Sequence, residues 1–345
     1  MRKLPLAFAI LAGCAPEAGP SPDVTLEPRW TDSAVPLVDP GDPVGVTASG
    51  VIVARIGGPD SSYRLLDSTA NVVGTSAVSA IGIWIAGEDD RLYTLAPGAT
   101  GIVSIHANGS AGPSYPLSHP GILRGVWRDS VDLVRLAVTG FTVGRVALAD
   151  GGERVIVADG DSAVTELLDI SPVGRGAQSQ LASITTTRGR VVVANGLKYR
   201  WLIYSADGKL LGDGGRSLDT TQRLTQRQVE AELRQIEASG QSLTAKYLES
   251  VRRQLERQRL PFFSPVQGLR HDGAGRLWVV GYQADSAFAD LFGERGFVRR
   301  LPLGCPGFDG QWDLTGSWLV LACGHRDPAV PGGELQLYRI IEERP

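Results

Sequence analysis

One short unit recurs along this 345-residue chain and limits the folds open to it: a tight turn, usually carrying glycine, followed by a run of β-branched, aliphatic or aromatic residues. It occurs as Ser49-Gly50-Val51-Ile52-Val53, Ile81-Gly82-Ile83-Trp84-Ile85, Arg188-Gly189-Arg190-Val191-Val192-Val193, Gly275-Arg276-Leu277-Trp278-Val279-Val280 and Thr315-Gly316-Ser317-Trp318-Leu319-Val320. In four of the five a loop and a second strand bearing Tyr63, Tyr93, Trp201 or Tyr338 follows. A sixth unit, Asp129-Ser130-Val131-Asp132-Leu133, keeps the strand without the glycine. Glycine enters such turns because it takes positive φ at no steric cost. Many short strands separated by Gly, Asp, Asn and Ser turns describe an all-β domain, and a recurring unit selects a propeller over a sandwich or barrel.

Six units predict an all-β, six-bladed β-propeller within residues 44–345, with blades at 44–75, 77–113, 120–170, 178–215, 262–305 and 308–341. The length of the third leaves room for a seventh blade. The β pattern breaks once, over residues 221–260. Thr225-x-x-Gln228 has the form of a capping box, and Val229, Leu233 and Ile236 then follow at helical spacing up to Ser239-Gly240. Leu243, Tyr247, Leu248, Val251 and Leu255 mark a second helix, which Pro261 ends. The expectation is an amphipathic α-helical hairpin inserted between two blades. Its charged face carries Arg227, Arg234, Arg252 and Arg253, and with Tyr247 these are expected to make a partner-docking arm, or the hairpin a lid over one end of the central channel; a packed decoration whose apolar stripe covers a blade edge and whose charges are solvated is the other reading.

The segment His271-Asp272-Gly273-Ala274-Gly275-Arg276-Leu277-Trp278-Val279 resembles the D-x-x-G-x-L-W-V turn and strand of six-bladed propellers of the NHL-like group. The other blades carry worn versions such as Gly82-Ile83-Trp84-Ile85, so the resemblance holds in rhythm over most of the domain and in letters at one segment. It implies the fold and little else, since the group includes sensors, protein-binding modules and a few metal-dependent hydrolases and lyases.

The N-terminus has its own order: Arg2 and Lys3, an apolar stretch from Leu4 to Ala12, then Leu11-Ala12-Gly13-Cys14. This resembles the bacterial lipoprotein signal, which implies a signal peptide over residues 1–13 and a lipid on Cys14. Residues 14–43 then read as a flexible tether and lead-in, rich at first in Pro, Gly and Ala. Ala15, where an Asp would favour inner-membrane retention, implies the outer membrane in a Gram-negative cell. The membrane is thus expected as a partner through Cys14, in the cell envelope.

With Cys14 lipidated, Cys305 and Cys323 are the remaining thiols. In an exported protein they are expected to bond, stapling strands of the last blade or the seam before it; two buried free thiols are the alternative. A formal charge of −3 and a pI near 5.9 give no field for nucleic acid.

Sequence motifs for catalysis are missing: no G-x-S-x-G, H-E-x-x-H, P-loop, G-x-G-x-x-G or C-x-x-C occurs. His106, His119, His271 and His325 are scattered, and no cofactor or metal site is expected. Asp159-Gly160-Asp161-Ser162 has the look of half a calcium loop, or of a hairpin turn. Asp285, Asp290 and Glu294, with Phe288 and Phe292, read as a loop able to flank a channel mouth. Asn108-Gly109-Ser110 has the form of a glycosylation sequon. Two function classes follow: an envelope binding or scaffolding propeller whose ligand the residues do not name, and a metal-dependent hydrolase or lyase using acidic residues gathered from separate blades.

Overall fold

A computed structural model describes residues 23–30, 35–39, 41–56, 62–87, 89–137, 140–158, 160–168, 182–187, 189–217, 223–238, 244–258, 262–263, 268–272, 274–283, 286–294, 296–305, 307–324 and 332–343. Two strands come first, β1 (Asp23–Pro28) and β2 (Val35–Leu37). Blade 1 is β3 (Gly45–Val46), β4 (Ile52–Arg55), β5 (Tyr63–Leu66) and β6 (Val72–Thr75). Blade 2 is β7 (Ile81–Ala86), β8 (Leu92–Leu95), β9 (Gly101–Ile105) and β10 (Ala111–Pro116). Blade 3 holds β11 (Ile122–Trp127), β12 (Ser130–Ala137), β13 (Gly140–Ala147) and β14 (Glu153–Ala158). Blade 4 holds β15 (Ala182–Thr187), β16 (Arg190–Asn195), β17 (Arg200–Tyr204) and β18 (Leu210–Gly215). Blade 5 holds β19 (Leu269–His271), β20 (Leu277–Gln283), β21 (Ser286–Gly293) and β22 (Gly296–Leu303). Blade 6 is β23 (Gly307–Thr315), β24 (Trp318–Gly324) and β25 (Gly333–Glu343), with β1 as its outer strand.

Each blade is an antiparallel meander, and the inner strands β3, β7, β11, β15, β19 and β23 touch in that order, with β23 returning to β3. The expected six-bladed propeller is therefore the fold.

In blades 4, 5 and 6 the second strand carries an unbroken apolar run, Val191–Ala194, Leu277–Val280 and Trp318–Cys323, because both its faces are buried, while β12 of blade 3 is interrupted by Asp132 and Arg135. Successive side chains point to opposite faces of a sheet, so each strand feeds two interfaces at once. Val191 and Val193 of β16 pack into the layer shared with blade 3, while Val192 and Ala194 pack into the layer shared with blade 5. In β24, Leu319 and Leu321 face blade 5, and Val320 and Ala322 face blade 1. The core is thus six apolar layers between blades rather than one central mass. The axis itself is left to the inner strands.

Ring closure draws on the lead-in. From Asp23 onward it contributes β1 and β2: β1 pairs antiparallel with β25 from Asp23↔Glu343 to Pro28↔Tyr338, and β2 pairs with its start. Val24 is buried between blades 5 and 6, and Val35 and Leu37 between blades 6 and 1. A six-residue strand containing Glu and Pro has little pattern of its own, and its partner lies at the other end of the chain.

The blade 5 turn shows why the D-x-x-G-x-L-W letters belong together. Asp272 Oδ1 accepts the backbone N–H groups of Ala274 and Arg276, each at 2.9 Å, and Oδ2 accepts Arg276 Nε at 2.6 Å and Trp278 Nε1 at 2.8 Å. Gly275, at φ 85°, supplies the left-handed residue this turn needs.

Three α-helices occur among the described residues. Helix α1 (Ser162–Leu168) follows blade 3 and buries Val164, Leu167 and Leu168 against blades 3 and 4. The inserted hairpin is α2 (Gln226–Ala238) and α3 (Ala245–Arg257), between blades 4 and 5. Thr244 caps α3, its Oγ1 accepting Tyr247 N–H at 3.2 Å.

Candidate functional site

The inner strands bring a charged cluster to the propeller axis. From four inner strands, β11 contributes Arg124, β15 Thr185, β19 Arg270 and β23 Asp313, all buried. Arg270 Nη1 donates to Thr185 Oγ1 at 3.2 Å and to Leu269 O at 3.1 Å, and its Nε lies 3.6 Å from Asp313 Oδ1. Its guanidinium also stands 5.9 Å from the Trp312 ring. Asp313 Oδ2 accepts Val46 N–H of β3 at 3.1 Å, which carries the network across the closing seam into blade 1. The inner strands are tightly packed here: a Cβ at Gly125 of β11 would collide with Thr186 Oγ1 of β15.

Burial sets the electrostatics. It pushes the Asp313 carboxyl up to about 6, against the pull of Arg270 and the Val46 N–H. Arg124 is pushed down to about 10, first by burial and then by the Arg270 cation. Burial lowers Arg270 too, with Asp313 opposing it. Arg270 Nη2 has no hydrogen-bond partner among the described residues. The cluster is therefore a low-dielectric site in which guanidinium groups from blades 3 and 5 lie within electrostatic reach of each other.

A second network lies between blades 4 and 5. Asp290 of β21 takes Arg300 Nε at 2.6 Å, Arg300 Nη2 at 2.8 Å, Tyr199 Oη–H at 2.6 Å and Arg216 Nη1 at 3.4 Å. Burial and the neighbouring Asp290 carboxylate raise the Tyr199 phenol well above its ordinary range. The Arg300 guanidinium lies 3.8 Å from the Phe288 ring and is raised by its bonds to Asp290.

These placements correct two sequence readings. Asp290, Phe288 and Phe292 are buried strand residues of β21, not members of a loop at a channel mouth; Asp285 lies outside the described residues. The apolar spacing around Asp290 was the available sign of a strand. Asp161 caps α1 rather than standing in a hairpin turn: its Oδ1 accepts Ala163 N–H at 2.9 Å and Tyr204 Oη–H at 3.1 Å. Asp159 and His325 lie outside the described residues. Asn108 sits in the turn before β10, its Oδ1 accepting Ser110 N–H at 3.0 Å.

Other expected residues fall apart from the axis. Cys305, just past β22, and Cys323 of β24 are bonded, with their Cα atoms 5.4 Å apart, and tie the passage between blades 5 and 6 to the last blade. Cys14 lies outside the described residues, as does the side chain of Arg227. On the hairpin, Arg252 pairs with Glu230 across the two helices and Arg253 with Glu249 at 3.0 Å along α3. Arg234 and Arg252 line a groove of 230 Å³ between the helices, with Leu233 and Leu248. Val229 and Leu233 are buried, whereas α3 buries no residue and leaves Tyr247 51% exposed.

Sequence reasoning singled out neither Arg124, Arg270 nor Asp313. The available signal was a charged residue inside a short apolar strand, as in Ile122-Leu123-Arg124-Gly125-Val126 and Trp312-Asp313-Leu314. Among the described residues no three His, Cys, Asp or Glu side chains are grouped to hold a metal ion.

No protein-family model and no curated protein sequence matches the chain. Solved structures do. A protein of unknown function from Bacteroides thetaiotaomicron is 12% identical, with a TM-score of 0.51 over 92% of this chain and 77% of that one. Virginiamycin B lyase from Staphylococcus aureus is 10% identical, with a TM-score of 0.41 over 86% of this chain and 81% of that one. Regucalcin from Agrobacterium tumefaciens, a calcium-binding protein, is 12% identical, with a TM-score of 0.45 over 90% and 95%. At these identities the likeness is one of fold alone.

Proposed function

We propose that this chain is a lipid-anchored envelope protein whose propeller binds a ligand carrying an anionic group, held at the axis by Arg270 with Arg124 beside it. The observation that carries this is the Arg270 guanidinium, buried where blades 4, 5 and 6 meet, with Nη2 lacking a partner among the described residues. A buried donor without a partner costs free energy that a bound carboxylate or phosphate oxygen would recover, and guanidinium groups suit both. Channels of propellers collect residues from separate blades, which is what this cluster does.

Support for export comes from the disulfide, since such bonds persist in oxidising compartments. The order Arg2, Lys3, apolar stretch, Cys14 supports the anchor. The Asp272–Trp278 turn supports kinship with the NHL-like group.

Calorimetric titration of the purified protein with inorganic phosphate and with citrate tests the ligand class. Binding by one of them is expected, and it should disappear in a paired Arg270→Gln and Asp313→Asn variant, which removes the guanidinium and its carboxylate partner together. Equal binding by the folded variant, or no binding by the parent, contradicts the reading.

A further inference from the structure

The outer strands carry exposed apolar residues in an ordered way. Where the chain turns from the third strand into the fourth, blade 1 exposes Val72 and Val73 at 53% and 50%, blade 4 Leu210 and Leu211 at 42% and 52%, and blade 5 Phe297 and Val298 at 43% and 37%. Each pair stands within the first three residues of its outer strand, β6, β18 or β22. Singly exposed apolar residues are ordinary on a protein surface, but pairs at equivalent positions in several blades form a patterned surface.

The ring order makes that surface an arc. Blades 4, 5, 6 and 1 are consecutive, and blade 6 has β1 as its outer strand. Asp23, the first residue of β1, occupies in blade 6 the place that the apolar pairs occupy in its neighbours, because β1 runs antiparallel to β25 as β6 does to β5. The chain therefore enters the fold inside the arc, with apolar pairs on both sides of it. On the far side of the ring the pattern stops: blade 2 starts β10 with Ala111 and Gly112, and the start of β14 in blade 3 exposes Val155 without an apolar neighbour, Leu136 of that blade being exposed at the β12–β13 turn instead.

We infer that this arc rests on the lipid surface, with the side chains of Val72, Val73, Leu210, Leu211, Phe297 and Val298 in the interfacial layer. The inference rests on the proposed lipid at Cys14. Eight residues lie between Cys14 and Asp23, a span of no more than about 30 Å at full extension. A tether that short keeps the Asp23 edge of the propeller at the bilayer, at an effective concentration on the order of millimolar, where weak apolar insertion suffices. The same entry point explains why the pairs flank blade 6 and fade opposite it.

The test uses the full-length protein, matured in cells and reconstituted into phosphatidylethanolamine–phosphatidylglycerol vesicles. An environment-sensitive fluorophore is placed in turn at Val73→Cys, Leu211→Cys, Val298→Cys and, as the opposite-rim control, Ala111→Cys. Quenching by lipids brominated along the acyl chain is expected at the first three sites and absent at the control. Flotation with the vesicles is read in parallel, so that failure to float condemns the anchor itself. Protein that floats but shows no quenching at the arc, or equal quenching at Ala111→Cys, overturns the inference alone. A concentration-dependent emission shift at the arc sites in the absence of vesicles, with no quenching in their presence, would mean that a second copy covers the arc and would overturn it as well.

Discussion

The indole Nε1–H of Trp278 donates to Asp272 Oδ2 at 2.8 Å, and the same carboxylate takes two backbone N–H groups and the Arg276 side chain. One buried acidic group thereby fixes the turn, Arg276 at the entry to β20 and the tryptophan that packs between blades 5 and 6. Asp272→Ala strands a buried indole donor and takes from the buried Arg276 one of its two carboxylate partners, Glu342 being the other, and is expected to cost about 3 kcal/mol. Urea unfolding followed by tryptophan emission measures it; a loss below about 1 kcal/mol would show that the carboxylate is not what holds the turn.

The signature letters were legible for that physical reason: a local turn writes its needs in adjacent residues. The rhythm of second strands was legible in five blades, as β4, β12, β16, β20 and β24, because a strand buried on both faces is largely apolar, whereas the unit read in blade 2 is its inner strand β7. The hairpin helices announced themselves through the 3.6-residue spacing of Val229, Leu233 and Ile236. The axial site was not legible. Arg124, Arg270 and Asp313 stand in three blades, and only the closed ring brings them together. The role of β1 was hidden likewise, its partner β25 being the last strand of the chain.

Stability should carry a pH signature from Asp313. Its carboxyl has an ordinary value of 3.8 and is raised by burial to about 6 in the fold. Between those values the folded chain holds a proton that the unfolded chain has released. The stabilising contribution is therefore complete below about pH 4 and is lost as pH rises through about 6, by up to about 3 kcal/mol. The difference in unfolding free energy between the parent and Asp313→Asn should shrink accordingly over that window. A difference that stays flat, or grows with pH, contradicts the assignment.

The Cys305–Cys323 bond closes a loop spanning 18 residues. Replacing both cysteines by serine is expected to lower unfolding stability by about 3 kcal/mol, with the larger part of the effect on the last blade. Denaturant midpoints of the oxidised, reduced and substituted forms check this; identical midpoints would show that the apolar layer between blades 5 and 6 needs no covalent tie.

Strand β1 is expected to be necessary for a closed ring. Removing residues 1–28 exposes the backbone edge of β25 over the span from Tyr338 to Glu343 and deletes Val24 from its apolar layer. Such an open edge invites pairing between chains, so the truncated protein should associate with rising concentration, whereas the parent should not. Sedimentation at several concentrations decides it, and a stable truncated monomer with unchanged unfolding would count against strand closure.

The central claim, a lipid-anchored propeller in the envelope, is met most directly by the intact mass of the protein isolated from membranes, set beside a Cys14→Ser form. The account predicts a mature chain that begins at a lipid-modified Cys14 and lacks the thiol hydrogens of Cys305 and Cys323, with the Cys14→Ser form left unprocessed. A chain that still begins at Met1, with Cys14 unmodified and both other thiols reduced, would contradict it.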